Sequence, residues 1–272
     1  MDDERLVTQG WQDRADQLAE LLKIGNRHSF AEWGVVRRGM TIGETPHVLR
    51  QLRYLQSLRD WDTRWKPAVH ETDVGEHRRC RSYRDSSGTL IRHAYYLAQT
   101  ETLTGVKAGE YDFVFEFGGG YGSMCRLFYN LGFKGKYLLY DLEPFCELQR
   151  YFLGALDLPV CNAREFAASE PCILSVSDFD VLTELLRWAE HKRAIFVATW
   201  SLSETPLLAR MKVLPLVNEF DTCLLIYQRV FENINNQAEF GAWAHSLPHT
   251  DWRCWEVEGN ADCLVGWRRH AA

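Results

Sequence analysis

"DFVFEFGGGYG", residues 112–122, decides the fold. An apolar run ends in a carboxylate, Glu116, and three glycines, a tyrosine and a fourth glycine follow it. A short continuous apolar run reads as a strand buried in a parallel sheet. Glycine permits positive φ and leaves no Cβ in the way of a ligand. A helix beginning near Tyr121 turns its free N–H groups toward the same spot. Gly118, Gly119, Gly120 and Gly122 therefore read as a ligand-bearing turn at the carboxyl end of the first strand.

Downstream, further apolar runs recur: KYLLYD (136–141), CILSV (172–176), AIFVATW (194–200), TCLLIYQRV (222–230) and DCLVGW (262–267). Helical segments lie between them. In YGSMCRLFYNLGFKG (121–135), Met124, Leu127, Phe128 and Leu131 share one face and Gly132 stops the helix. EPFCELQRYFLGAL (143–156) carries Pro144 near its start, and SETPLLARMKVLPLVNEF (203–220) opens on Thr205 and Pro206 and is kinked or ended by Pro215. LPVCNA (158–163) admits both a short strand and a loop. Strands alternating with helices define an α/β fold: a Rossmann-like, mostly parallel sheet with helices on both faces.

Upstream of residue 105 the texture is helical. TPHVLRQLRYLQSLRDW (45–61) has Thr45 as a cap, Pro46 at the first helical position, and Val48, Leu52 and Leu55 on one face. GTLIRHAYYLAQTETLTG (88–105) places Leu90, Ile91, Ala94, Tyr95 and Ala98 at helical spacing. The expected division is an N-terminal helical lobe or substrate cap over 1–105 and a ligand-binding sheet domain over 106–272.

Composition fits a globular chain: 272 residues, 46% hydrophobic and 25% charged, with net charge -6. The acidic balance argues against a nucleic-acid partner, since phosphate affinity comes from Lys and Arg. No apolar run approaches the roughly 18–20 residues of a membrane span. The opening MDDERLVTQG is acidic, unlike a secretory or transit peptide, and the closing GWRRHAA carries no lipidation signature. The eight cysteines are scattered without metal-like spacing and read as free thiols of a reduced, cytoplasmic protein. Oligomeric state stays open, a homodimer included.

The ligand follows from the charges. Asp141 ends the second strand 19 residues after Gly122, a spacing that suits a bond to ribose hydroxyls, although such a residue also caps helices. A dinucleotide fingerprint fits less well. Ser123 stands at its third small position, and Glu116 adds negative charge where a pyrophosphate would lie. No Walker lysine follows the glycines. A carboxylate beside the turn suits a ligand with an amine and no phosphate, and S-adenosylmethionine has an α-amino group, a sulfonium and a ribose diol.

The stretch EFGGGYGSMCRLFYNLGFKGKYLLYDLEPFCELQRYFL (116–153), with ATWSLSETP (198–206), resembles class I S-adenosylmethionine-dependent methyltransferases. Within that class it is similar to the bacterial sugar O-methyltransferase family, over roughly residues 85–230. It departs from that family at Glu143-Pro144, where a bare proline is usual, and at Thr205-Pro206, which replace a methionine. The resemblance implies O-methylation of a sugar or glycan precursor with S-adenosyl-L-methionine as methyl donor, and so a small-molecule or glycan acceptor as partner. It implies that Glu116 holds the methionine amine, that Gly118, Gly120 and Gly122 pass under the methionyl and ribose parts, and that Asp141 binds the ribose. Leu142 would lie against the adenine, with Ser177 and Asp178 near its amino group. Thr199, Trp200, Ser201 and Glu204 would line the mouth where donor and acceptor meet.

A sugar hydroxyl needs a base. The candidates are Glu204, His249 and His93, with His249 and His245 in AWAHSLPHTDWRCW (242–255), read as a loop near the sheet's carboxyl edge. No metal constellation is visible; if a divalent ion takes part, Asp178 and Asp180 are its candidate holders. The run EHRRCRSYRD (76–85) suits either a solvated face or a phosphorylated or carboxylated acceptor. Competing readings are a methyltransferase on a small natural product or peptide, an NAD(P)-dependent oxidoreductase on the same sheet, and a non-catalytic relative.

Overall fold

Phe113–Phe117 is a strand, β1, because every residue in it is buried from both sides. Around it the computed structural model describes residues 6–190 and 192–268, and not the Glu258 side chain. The first residues of MDDERLVTQG and the last of GWRRHAA lie outside the described residues.

Before β1 come α1 (Gln9–Ile24), α2 (Gly34–Gly39), α3 (Pro46–Gln56), the short α4 (Lys66–Ala68) and α5 (Gly88–Thr104). After it come α6 (Ser123–Asn130), β2 (Lys136–Tyr140), α7 (Glu143–Gly154), α8 (Ala163–Ala168) and β3 (Cys172–Val176). Then follow α9 (Phe179–Leu185), β4 (Ala194–Thr199), α10 (Leu207–Val213), β5 (Thr222–Gln228), β6 (Val230–Phe231) and β7 (Ile234–Asn235). The chain closes with α11 (Asn236–Ser246), β8 (Thr250–Glu258) and β9 (Ala261–Arg268). Local signals set several of these ends. Thr45 caps α3 by accepting the Val48 N–H, Ser87 caps α5 through Leu90 N–H, and Gly105 closes α5 at φ 73°.

The main sheet has seven strands in the order β3-β2-β1-β4-β5-β9-β8. β1 to β5 run parallel, and β9 and β8 are antiparallel additions at one edge. The sheet is therefore α/β, Rossmann-like and mostly parallel. Its strand order reverses at β1, between β2 and β4, which opens a crevice outside the carboxyl ends of those strands.

Alternate residues feed two cores. Val114, Tyr137, Leu139, Ile195 and Val197 pack with the helices before β1 and with α6 and α7. Phe113, Phe115, Leu138 and Phe196 pack on the opposite face with Phe166, Leu182, Val213 and Phe240. Phe115 and Phe196 stack at 5.2 Å between ring centroids. Each such fully buried ring contributes about 1.5–3 kcal/mol of transfer free energy.

Two expectations are corrected. The segment read as a loop, 242–255, holds the end of α11 and most of β8. Cys161 and Cys172 form a disulfide rather than two free thiols. The segment with two readings, 158–163, contributes a single bridge from Val160 to Ile173, which brings those cysteines together. No helix among the described residues is long and apolar enough to cross a membrane.

Candidate active site

The glycine turn is built as its composition requires. Gly118, Gly120 and Gly122 have φ of 69°, 57° and 98°, in the left-handed region that side chains with a Cβ avoid. Space adds a second restriction. A Cβ on Gly118 would collide with the Ser201 side chain, and one on Gly119 with Leu139 Cδ2. The turn is thus pinned between β2 and the segment after β4.

Glu116 sits beneath it, 1% exposed. Its Oε2 accepts a 2.7 Å hydrogen bond from the Tyr137 hydroxyl on the neighbouring strand. Burial, with the Asp141 charge adding to it, pushes the Glu116 carboxyl up to about 8. Asp141 accepts from Leu142 N–H at 2.9 Å, Gly120 N–H at 3.2 Å and Gln149 Nε2 at 3.0 Å. Burial still outweighs those bonds and raises its carboxyl to about 7. Two acids are therefore held beside bare main chain, neither paired with a Lys or Arg among the described residues, and a cationic ligand would favour ionising both.

These groups line a cavity of about 370 Å³, within the usual range for small-molecule sites. Glu116, Gly118, Gly119, Gly120, Asp141 and Leu142 form one wall. Thr199, Trp200, Ser201 and Glu204 form another, and His93 lies in the lining contributed by α5. Trp200 holds φ 71°, an unusual backbone for a bulky residue. Its N–H donates to Ile226 O at 2.6 Å, its carbonyl accepts from Ser203 Oγ, and the Arg92 guanidinium lies 4.9 Å from its ring centre. Strain of this kind costs about 1–3 kcal/mol and persists where the surroundings enforce it.

Glu204 accepts at both oxygens, from Trp11 Nε1 and Gln228 Nε2, each at 2.8 Å. Burial raises its carboxyl above the ordinary value. His93 is lowered to about 3 by burial and by the Arg92 charge, and its Nδ1 is buried without a partner.

Four expected residues lie elsewhere. Gly122 lies outside the lining, where it starts α6 and packs against Leu153. Ser177 donates to Glu143 Oε2 at 2.8 Å, and Asp178 caps α9 by accepting from the Asp180 and Val181 N–H groups; Phe179 lines the cavity in their place. His249 precedes β8, whose first residue pairs with Arg268, next to Trp267 opposite Thr222 at the start of β5. That register puts His249 at the amino ends of the parallel strands, across the sheet from the cavity. Among the described residues no group of three or more His, Cys, Asp or Glu is placed to hold a metal.

The unanticipated lining comes from far upstream: Thr8, Trp11, Arg38, Met40 and Ile42. Tyr137, Gln149 and Gln228, which hold the acids, were also unmarked. Their roles depend on strand register and helix docking, which no local pattern displays.

No family model matches the chain, and no curated protein does. Solved structures align at low identity. The methyltransferase domain of bacterial CtHen1 is 13% identical over 65% of this chain and 97% of its own, with TM-score 0.45. Precorrin-6y C5,15-methyltransferase from Geobacter metallireducens is 11% identical over 75% of this chain and 99% of its own, at 0.44. Magnesium protoporphyrin IX methyltransferase from Synechocystis, with bound SAM, is 11% identical over 84% of this chain and 100% of its own, at 0.44. At such low overlap, function has to be read from the chain's own strand order and site rather than from these neighbours.

Proposed function

We propose that the chain is an S-adenosylmethionine-dependent methyltransferase acting on a hydroxyl of a sugar or glycan precursor. One observation carries the reading: the buried Glu116 and the half-buried Asp141 flank a glycine cradle at the switch point of the sheet. A pyrophosphate there would meet two acids, whereas an amine would ionise Glu116 and a ribose diol would bond Asp141. When bound, the donor would supply an electrophilic methyl group. Glu116 holds its amine, Gly118 to Gly120 pass beneath it, Asp141 takes the ribose hydroxyls and Leu142 covers the adenine.

For the acceptor, the protein chiefly supplies alignment. Trp11 and Trp200 line the cavity beside Glu204, a combination of aromatic surface and hydrogen-bonding acid that suits a sugar ring. Glu204 is the general base. Its raised carboxyl titrates closer to neutrality than an exposed glutamate, while His93 is too weakly basic. The helices over 1–105 act as the acceptor cap, since Thr8, Trp11 and Met40 reach the cavity from them and their flanks.

Calorimetry with S-adenosylmethionine, its demethylated product and NAD tests the reading. Binding of the first two without NAD is the expected result. NAD binding in their place would overturn it.

A further inference from the structure

A second cavity, about 250 Å³, adjoins the first. Arg38, Thr41, Ile42 and Thr89 line both, so the two share a wall. Its chemistry differs from the first. Arg37 and Arg38 come from the last turn of α2, and Arg78 comes from the arginine run EHRRCRSYRD. The three are exposed at its rim. Glu32, also exposed, is the single carboxylate in this lining among the described residues.

The structure divides that arginine run by role. Arg79 pairs with Asp73 at 2.8 Å, and Arg84 lies outside the cavity lining. Arg78 has no carboxylate partner among the described residues and faces the cavity instead. Deeper in, Ser87 and Thr89 mark the start of α5, a helix of 17 residues whose positive dipole end meets the cavity.

His77 provides a reporter within this lining, although its Nε2 lies against Gly75. It lines the cavity, is 7% exposed, and its Nε2 is buried with no partner. Its ring packs against Tyr121 at 4.9 Å, Phe30 at 5.4 Å and Phe152 at 5.7 Å. The charges near it are Glu71, Arg126 and Arg79. Glu71 is bound to Arg126 at 2.5 Å through one oxygen, and its other oxygen is buried without a hydrogen-bond partner.

We propose that this second cavity is an anion subsite that takes a phosphoryl group of the acceptor, held by Arg37, Arg38, Arg78 and the start of α5. Guanidinium forks and a helix N-terminus are both suited to phosphate oxygens. The shared wall sets that group next to the cavity in which methyl transfer is placed, so the acceptor is a phosphorylated sugar or a nucleotide-linked one. Naming the anion as the acceptor's rests on the methyl-transfer reading; anion binding itself does not.

The test uses the full chain and inorganic pyrophosphate at low ionic strength, followed by calorimetry and by the His77 ring proton resonances. Saturable binding with a shifted His77 signal is expected. Arg37→Ala and Arg78→Ala, both exposed, should each weaken it about fivefold or more, while Arg84→Ala leaves it unchanged. Absence of saturable binding, or equal loss in Arg84→Ala, overturns the subsite. Tighter binding of succinate than of pyrophosphate overturns its assignment to a phosphoryl group. S-adenosylmethionine is titrated in parallel. Pyrophosphate binding without donor binding removes the methyl-transfer reading and the acceptor label together, whereas donor binding without pyrophosphate removes only the subsite.

Discussion

Trp11 Nε1 donates a 2.8 Å hydrogen bond to Glu204 Oε2 across 193 residues of sequence. The contact ties α1 to the segment that follows β4, on the rim of the crevice where the sheet reverses. Trp11 is braced in turn by Phe145 of α7, edge-on at 5.9 Å, and by Arg14 over its ring at 4.5 Å. The first helix is therefore part of the site's wall, and the carboxylate assigned as base is oriented by it.

Trp11→Phe keeps most of the apolar packing and removes the N–H donor. The loss should cost about 1 kcal/mol in urea unfolding, the usual net worth of one hydrogen bond. It should also raise the Glu204 carboxyl further, because a donor that favours the charged form is gone. With an acceptor in hand, the acidic limb of the rate profile should move to higher pH. An unmoved limb would detach Glu204 from proton transfer. Glu204→Gln should abolish most turnover and spare donor affinity; equal loss of both would point to a binding role instead.

Glu116→Gln tests the amine-holding role. A hydrogen bond to a charged partner contributes about 1.5–3 kcal/mol, so donor affinity should fall roughly 10- to 150-fold by calorimetry. The fold should persist, since the amide can still accept from the Tyr137 hydroxyl. Unchanged affinity would mean that the amine lies elsewhere.

How much of this was legible in the sequence depended on which physical signal each element carried. Strands buried on both faces announce themselves as apolar runs, so β1 to β5 and β9 stood out. β8 did not, because TDWRCWEVE alternates polar and apolar residues. Trp252 packs on one core and Trp255 and Val257 on the other, and the polar side chains between them break the run. With that strand hidden, His249 was placed at the wrong end of the sheet. The glycine turn was readable because positive φ restricts residue type there, and Asp141 was readable from its spacing after the glycines. Ser177 and Asp178 were not, because a helix cap and a ligand contact select the same small polar residues. The upstream wall, from Thr8 to Ile42, depends on docking of whole helices and leaves no local mark.

The glycines separate backbone strain from crowding. Gly132 has φ 94° with nothing within 4 Å of a Cβ, while Gly118 has φ 69° and a Cβ there would strike Ser201. Gly132→Ala should cost about 1–2 kcal/mol, the left-handed penalty alone. Gly118→Ala should cost more than that, because Ser201 must also move and its bond to Phe117 O must break. Equal losses in urea would show that the Ser201 contact yields freely.

Glu116 and Asp141 also set how the free protein responds to pH. Glu116 is raised from 4.5 to about 8 and Asp141 from 3.8 to about 7, so between those limits the folded chain holds protons that the unfolded chain has released. Stability must then fall as pH rises, by up to about 1.4 kcal/mol per pH unit for each group. His93 works the other way, since its value is lowered from 6.5 to about 3, but its contribution is complete once pH exceeds 6.5. The informative window is pH 6.5–8, in which the melting temperature of the free protein should decline and Glu116→Gln should flatten that decline. Saturating S-adenosylmethionine should oppose it, because an amine beside Glu116 favours the ionised form. Binding at about pH 7 should release protons detectable by calorimetry in buffers of different ionisation enthalpy. Parallel melting curves for the wild type and Glu116→Gln would show that the carboxyl under the glycine turn is ionised without a ligand, and the case for a cationic guest would lose its footing.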